Sequence, residues 1–168
     1  MSECCSANRT PPAAPAVMNC PVSGTRSRQV DLLTLKSLVR HLEFAMPTAQ
    51  YYFCTAPGCD VVYSPSNRKA PAFYRNDFLV RVGAKESDEE ATVCYCLGIS
   101  RRNIREEVEA TGRCSAAEEI KAEIQAGHCA CEANNPSGKC CLGDVIRTVN
   151  DRSRQGSQRH DSVQTSML

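Results

Sequence analysis

Cys129-Ala130-Cys131-Glu132-Ala133-Asn134-Asn135-Pro136-Ser137-Gly138-Lys139-Cys140-Cys141 places four cysteines in thirteen residues around Asn-Pro-Ser-Gly. Pro136 and Gly138 exclude a continuous helix or strand here, so the stretch reads as a loop that gathers thiols for a metal. Upstream lies Cys94-Tyr95-Cys96. In extended backbone, residues i and i+2 project to the same side, so both thiols face one centre while Tyr95 faces away. The two patches together offer six thiols, enough to hold one iron–sulfur cluster with two to spare.

The segments around these thiols read as helical. Ser100 caps a helix over residues 101–110 whose inward edge is Ile104 and Val108, and Thr111-Gly112-Arg113 ends it. Ser115 caps a second helix over 116–126, with Glu118 completing a capping box and Ile120 and Ile124 facing inward. Cys114, between them, reads as a lone structural thiol. Leu142, Val145, Ile146 and Val149 mark a short last helix, after which residues 150–168 form a polar tail containing His160.

The first half of the chain is of different character. Residues 1–19, rich in Pro, Ala and Ser, read as a disordered arm carrying Cys4 and Cys5. Cys20-Pro21-Val22-Ser23-Gly24 has the shape of half a zinc knuckle. Leu32, Leu35, Leu38, Val39 and Leu42 recur at helical spacing behind Asp31, and His41 falls beside that stripe as a surface or packing residue. Gln50-Tyr51-Tyr52-Phe53-Cys54 and Cys59-Asp60-Val61-Val62-Tyr63 read as two strands of a hairpin across Thr55-Ala56-Pro57-Gly58. Cys54 and Cys59 close the two sides of that turn, and with Cys20 alongside they supply three thiolates for a four-coordinate structural zinc. The fourth ligand is open. Ser23 stands where a full knuckle would have its second cysteine, and a neutral hydroxyl is a poor zinc ligand; His41, Asp60, a thiol of the arm or water are the other candidates. Phe73-Tyr74-Arg75 and residues 78–83 suggest further short strands, and the charged run from Lys85 to Glu90 reads as a solvated linker.

The expected fold is therefore α+β: a small zinc-bound β-hairpin lobe with one helix over 20–84, a linker over 85–92, and a small helical [2Fe–2S] lobe over 93–149. Composition agrees with a need for metals. The 168 residues contain 12 cysteines, no tryptophan and 5% aromatic residues, a modest apolar stock from which to stabilise two lobes by burial alone. Prolines interrupt the short apolar run near the N-terminus, so it does not read as a secretory signal, and no stretch approaches a membrane span. These features predict a reducing cytoplasm with cysteines serving as metal thiolates. A net charge of +1 with no basic stripe argues against nucleic acid as a partner.

At the second site C-x-C supplies one pair of thiolates for a [2Fe–2S] cluster and the later loop the other, while a second zinc is the competing occupant. A dithiol switch at Cys140-Cys141 is disfavoured because vicinal cysteines bond only with unusual backbone geometry. No Ser/His/Asp or Cys/His constellation stands out, so the chain reads as an electron carrier or metal-binding accessory protein rather than an enzyme.

The order C-Y-C, two short helices, then C-x-C-E-x-x-N-P-S-G-K-C-C resembles the [2Fe–2S] modules related to bacterioferritin-associated ferredoxin. Tyr51-Tyr52-Phe53-Cys54, Cys59-Asp60-Val61-Val62-Tyr63, Arg81-Val82-Gly83-Ala84-Lys85-Glu86, Cys94-Tyr95-Cys96 and Asn135-Pro136-Ser137-Gly138-Lys139-Cys140-Cys141 resemble more closely the N-terminal zinc and [2Fe–2S] domain of CopZ-type copper chaperones. By position, that resemblance implies Cys94, Cys96, Cys131 and Cys141 as cluster ligands and Cys20, Cys54 and Cys59 as zinc thiolates. Spacing to the ferredoxin-like modules gives Cys129 and Cys140 as alternates. The family's copper-carrying module is a separate βαββαβ domain with its own C-x-x-C, and the residues after Val149 are too few for one. The resemblance thus implies a one-electron carrier in copper handling that reduces Cu(II) to Cu(I), with a redox donor and a copper chaperone on other chains and Cu+ as possible cargo. The alternative is a metal or redox sensor, or an interaction module, that uses the spare thiols Cys4, Cys5, Cys129 and Cys140.

Overall fold

Tyr51-Tyr52-Phe53 is aromatic throughout, and the strand it forms is buried at all three positions, in the middle of a sheet. The computed structural model describes residues 15–44 and 48–164, the side chains of Phe44 and of 156–164 excepted. Cys4 and Cys5 of the arm and the side chain of His160 lie outside the described residues. The sheet has five antiparallel strands in sequence order: β1 (Val17–Asn19), β2 (Arg26–Val30), β3 (Tyr51–Phe53), β4 (Val61–Pro65) and β5 (Phe73–Tyr74). The expected hairpin is β3–β4, with Phe53 opposite Tyr63. It is flanked on both sides, so the first lobe is a five-stranded meander and not a lone hairpin. Strand β2 was hidden in the sequence because one of its inward positions is Ser27, fully buried, whose hydroxyl donates to the Thr25 carbonyl at 3.1 Å.

Helix α1 (Leu32–Leu38) covers one face of the sheet. Leu35, Leu38 and Val39 pack with Tyr51, Phe53, Tyr63, Phe73 and Phe78 in the main core, whereas Leu32, the first residue of the apolar stripe, is half exposed. Tyr63 meets Phe78 edge-on, with ring centroids 4.9 Å apart. Over residues 78–83 the expected strand is reduced to one bridge between Phe78 and Val39. The Asp77 carboxylate, accepting from the Tyr74 amide at 2.7 Å, turns the chain into a short 3-10 segment just before it.

A two-stranded ribbon, β6 (Thr92–Cys94) with β7 (Ile99–Ser100), opens the second half. Helices α2 (Arg101–Thr111), α3 (Ala116–Gln125), α4 (Cys131–Asn134) and α5 (Leu142–Gln164) follow. Ser100 caps α2 by accepting from the Asn103 amide at 3.2 Å, and Gly112 ends it with φ +73°. Ser115 does not form the capping box: its hydroxyl donates instead to Glu119 at 2.6 Å. Ile120 is buried as expected, but Ile124 is largely exposed. The last helix runs on past Val149 to Gln164, with Arg152 on this extension bonded to Glu89 at 2.6 Å.

The two halves interlock. Thr34 Oγ1 of α1 donates to the Glu132 carbonyl at 2.6 Å, and Tyr63 OH of β4 donates to the Pro136 carbonyl at 2.6 Å. In the other direction, Tyr95 OH accepts from the Gly83 amide at 2.7 Å and donates to the Arg81 carbonyl at 3.1 Å. A Cβ on Gly83 would lie 1.9 Å from the Thr92 carbonyl oxygen, so only glycine permits this approach. The charged run between the halves is tied down. Lys85 is buried and donates to the Ala56 carbonyl at 3.0 Å, while Glu86 and Asp88 both engage Arg81.

Removing the Tyr63 hydroxyl should leave the Pro136 carbonyl buried without its donor. Tyr63→Phe is expected to lower unfolding stability by about 1–3 kcal/mol, read as a reduced urea midpoint with unchanged far-UV dichroism. At the α2–α3 turn, the Ser115 amide (2.8 Å) and Cys114 thiol (3.2 Å) donate to Glu107 and hold its carboxyl below the usual range. That contribution is present above the ordinary glutamate pKa and lost as pH falls through the depressed folded value. Glu107→Gln should therefore destabilise at neutral pH, with the difference shrinking in acid denaturation series.

Candidate metal centres

Two hairpin tips build the first thiol group. The β1–β2 connection is closed by the Gly24 amide donating to Cys20 O at 2.9 Å and the Cys20 amide donating to Thr25 O at 2.8 Å. Gly24 takes φ +71°, the conformation this tight return needs. Because Arg28 pairs with Phe53, the Cys20 turn lies at the same end of the sheet as the β3–β4 turn bearing Cys54 and Cys59. The three Sγ atoms all lie within 4.8 Å of one another, with Cys20 and Cys59 at 3.9 Å. Tetrahedral thiolate around zinc, at ~2.3 Å per bond, has an edge of about 3.8 Å. All three cysteines are buried, and with Val61 they form their own apolar nest.

Electrostatics divide the trio. Burial opposes ionisation of Cys20, but hydrogen bonds from the Ser23 side chain and amide, the Val22 amide and Cys54 outweigh it and bring the thiol down to about 7. Cys59 is pushed up, first by burial and then by its thiol neighbours. A cation binding here would offset the repulsion that gathering three thiolates creates.

Of the residues considered for a fourth position, Ser23 is closest, its Oγ 3.3 Å from Cys54 Sγ. His41 is exposed and paired with Glu43 at 3.3 Å, and Asp60 is exposed and paired with Arg75. Neither belongs to the triad's set of ligand atoms.

The second group is assembled from the β6–β7 ribbon and the cysteine-rich loop. Cys94 ends β6, and Gly98 at φ +66° turns the chain back after Cys96. Asn135 organises the loop: its side chain accepts from the amide and hydroxyl of Ser137, both at 3.0 Å, and donates to the Lys139 carbonyl at 2.8 Å. Cys141 then heads α5, its carbonyl accepting from the Asp144 and Val145 amides.

Thiols pair across the two segments. Cys96 and Cys131 are 3.8 Å apart, and Cys141 shares a hydrogen bond with Cys94. Each ribbon thiol thus has a loop thiol as a neighbour. Burial, followed by contact with Cys96, pushes Cys131 up to about 12, and burial with Cys94 pushes Cys141 up as well. Cys129 is half-buried beside Cys96, whereas Cys140 is exposed. Cys114 donates to Glu107 and packs at the edge of the helical core. Among the described residues, the six thiols here include no three within 4.8 Å of one another, in contrast to the first group. All ten described cysteines are free thiols.

Sequence reasoning missed Thr34 and Tyr63, which hold the loop in place. Their signal, a hydroxyl on an otherwise apolar face, was present in the helical stripe and the strand. Gly138 has φ +65°, and a Cβ there would approach Thr34 Oγ1 to 2.9 Å. Gly138→Ala should thus lift the loop from α1. Alkylation of Cys131 and Cys141, mapped by mass spectrometry, is expected to accelerate severalfold in the metal-free protein, with Cys140 little changed.

A family model described as a zinc binding domain, of the CopZ type, matches residues 17–78, the segment that carries the first thiol group. The copper chaperone CopZ of Archaeoglobus fulgidus is 31% identical over 125 residues, which are 74% of this chain and 58% of that protein. This chain thus spans a little over half the length of that relative. The X-ray structure of the Archaeoglobus fulgidus CopZ N-terminal domain superposes with a TM-score of 0.59 at 31% identity, covering 77% of this chain and 96% of that one. With its five-stranded sheet, its helices and its buried thiol groups, the chain belongs to the family of CopZ-type N-terminal domains.

Proposed function

We propose that this protein is a one-electron carrier in copper or related metal handling, with zinc at Cys20, Cys54 and Cys59 and a [2Fe–2S] cluster at Cys94, Cys96, Cys131 and Cys141. The observation that carries the reading is the contrast between the two groups. Three thiols crowded at the edge length of one tetrahedron suit a mononuclear ion, whereas thiols in separated pairs suit a binuclear centre. Cys94, Cys131 and Cys141 are buried and Cys96 is half-buried, a donor set that fits a cluster near the surface. Cys129 and Cys140 are the alternates, and Cys140 faces solvent.

A bound [2Fe–2S] cluster would supply a one-electron couple. The chain's residues position and tune it. Asn134 Nδ2 donates to Cys96 Sγ at 3.7 Å, stabilising the more negative, reduced charge state. Cys141 sits at the N-terminal end of α5, where the helix dipole favours anionic charge. The zinc-binding residues would hold the Cys20 turn and the β3–β4 turn together, a structural role. By this reading the partners are a redox donor and a copper chaperone on a separate chain, with Cu+ the product or cargo, in a reducing cytoplasm. In the domain organisation proposed, residues 20–84 are the zinc lobe and 93–149 the cluster lobe.

Anaerobically purified protein should contain two irons and two sulfides per zinc and give a spin one-half EPR signal on dithionite reduction. Zinc alone, persisting after attempted cluster reconstitution, would overturn the electron-transfer reading. Asn134→Ala removes one donor worth about 0.5–1.5 kcal/mol, so the midpoint potential should fall by roughly 20–60 mV. Asn134 is exposed, so the substitution leaves the core intact.

A further inference from the structure

The first thiol group is buried, but the turn beside it is exposed. Cys20, Cys54 and Cys59 are buried to within a few per cent of full exclusion, but Ser23, whose hydroxyl lies against Cys54, is exposed on the turn that follows Cys20. The Thr25 amide donates to Ser23 Oγ at 3.3 Å, which keeps the oxygen turned toward the thiols. Among the described residues, an added Cβ on Gly24 of that turn would meet nothing within 4 Å. His41 and Asp60 are committed to Glu43 and Arg75 and do not reach the group.

We propose that a metal held by Cys20, Cys54 and Cys59 keeps one coordination position that no strong ligand among the described residues closes, and that this position accepts a thiolate from solution. The proposal rests on reading the triad as a metal centre. A neutral serine hydroxyl is a weak donor beside three thiolates, and zinc sites with three protein ligands retain an exchangeable fourth. A soft sulfur donor displaces a hydroxyl or water from such a site readily. In the exchange the incoming thiol loses its proton to solvent, a metal–sulfur bond forms and a metal–oxygen bond breaks, with no change of oxidation state.

Cobalt(II) in place of zinc makes the exchange visible, because thiolate-to-cobalt charge-transfer absorption scales with the number of sulfur ligands. The full chain would be loaded anaerobically, and the spectrum of a Cys20→Ser/Cys54→Ser/Cys59→Ser variant subtracted to isolate the triad's part. Titration with 2-mercaptoethanol should raise the triad's band by about a third in wild type, as three thiolates become four. Ser23→Ala should respond in the same way. Ser23→Cys should begin at the higher intensity and not respond. Both substitutions fall on an exposed turn and leave the apolar nest untouched. A wild-type band that ignores the thiol, or that already equals the Ser23→Cys intensity, would overturn the proposal while leaving the metal centre standing. A spectrum unchanged by the triple substitution would remove the metal centre itself.

Discussion

Two hydroxyls from the first half of the chain, Thr34 on α1 and Tyr63 on β4, hold the carbonyls of Glu132 and Pro136 at 2.6 Å each. The cysteine-rich loop has little regular structure beyond the single turn of α4, so its backbone groups need partners from elsewhere. These two bonds seat the loop, Asn135 folds it internally, and Gly138 lets it approach α1 closely. With the loop so placed, Cys131 and Cys141 meet Cys96 and Cys94. Without that seating, four groups that are anionic when ionised would have little reason to converge, since each thiolate disfavours the next.

The two thiol groups reflect different ways of bringing distant residues together. At the first, sheet register does the work: antiparallel pairing of β2 with β3 aligns two hairpin tips, and Cys20, Cys54 and Cys59 follow from strand lengths. At the second, side chains carry the positioning, because ribbon and loop belong to no common sheet. Tyr95 anchors the ribbon to Arg81 and Gly83 while its neighbours Cys94 and Cys96 turn the other way. The strand ends at Cys94, so Tyr95 and Cys96 lie in the turn that follows and not in extended backbone.

Much of this was readable in the sequence wherever local chemistry decides the conformation. The Tyr-Tyr-Phe-Cys strand, the Asn-Pro-Ser-Gly turn and the Ser100 cap announce themselves through burial, turn preference and side-chain reach. Strands β1 and β2 did not, because the buried residues of β2, Ser27 and Val30, are three positions apart and lie on opposite faces, which leaves no period-two pattern among Arg26, Arg28 and Gln29. Ser115 has the right sequence for a capping box, yet Glu119 competes for its hydroxyl. Lys85 looks like the start of a solvated run, and only the Ala56 carbonyl, 29 positions away, explains its burial. The cross-pairing of thiols was equally invisible, since it depends on how the loop is seated and not on any spacing within it.

The buried ammonium of Lys85 carries one further meaning. Its acceptor is the carbonyl of Ala56, inside the turn that brings Cys54 and Cys59 together, while its own backbone belongs to the segment leading into the Cys94 ribbon. A change in the shape of that turn alters the position of the oxygen to which a desolvated charge is bound. The ammonium must follow or lose its partner, and it takes the Gly83–Lys85 turn and the Tyr95 anchor with it. One charged side chain thus ties the turn that carries Cys54 and Cys59 to the segment that leads into the Cys94 ribbon.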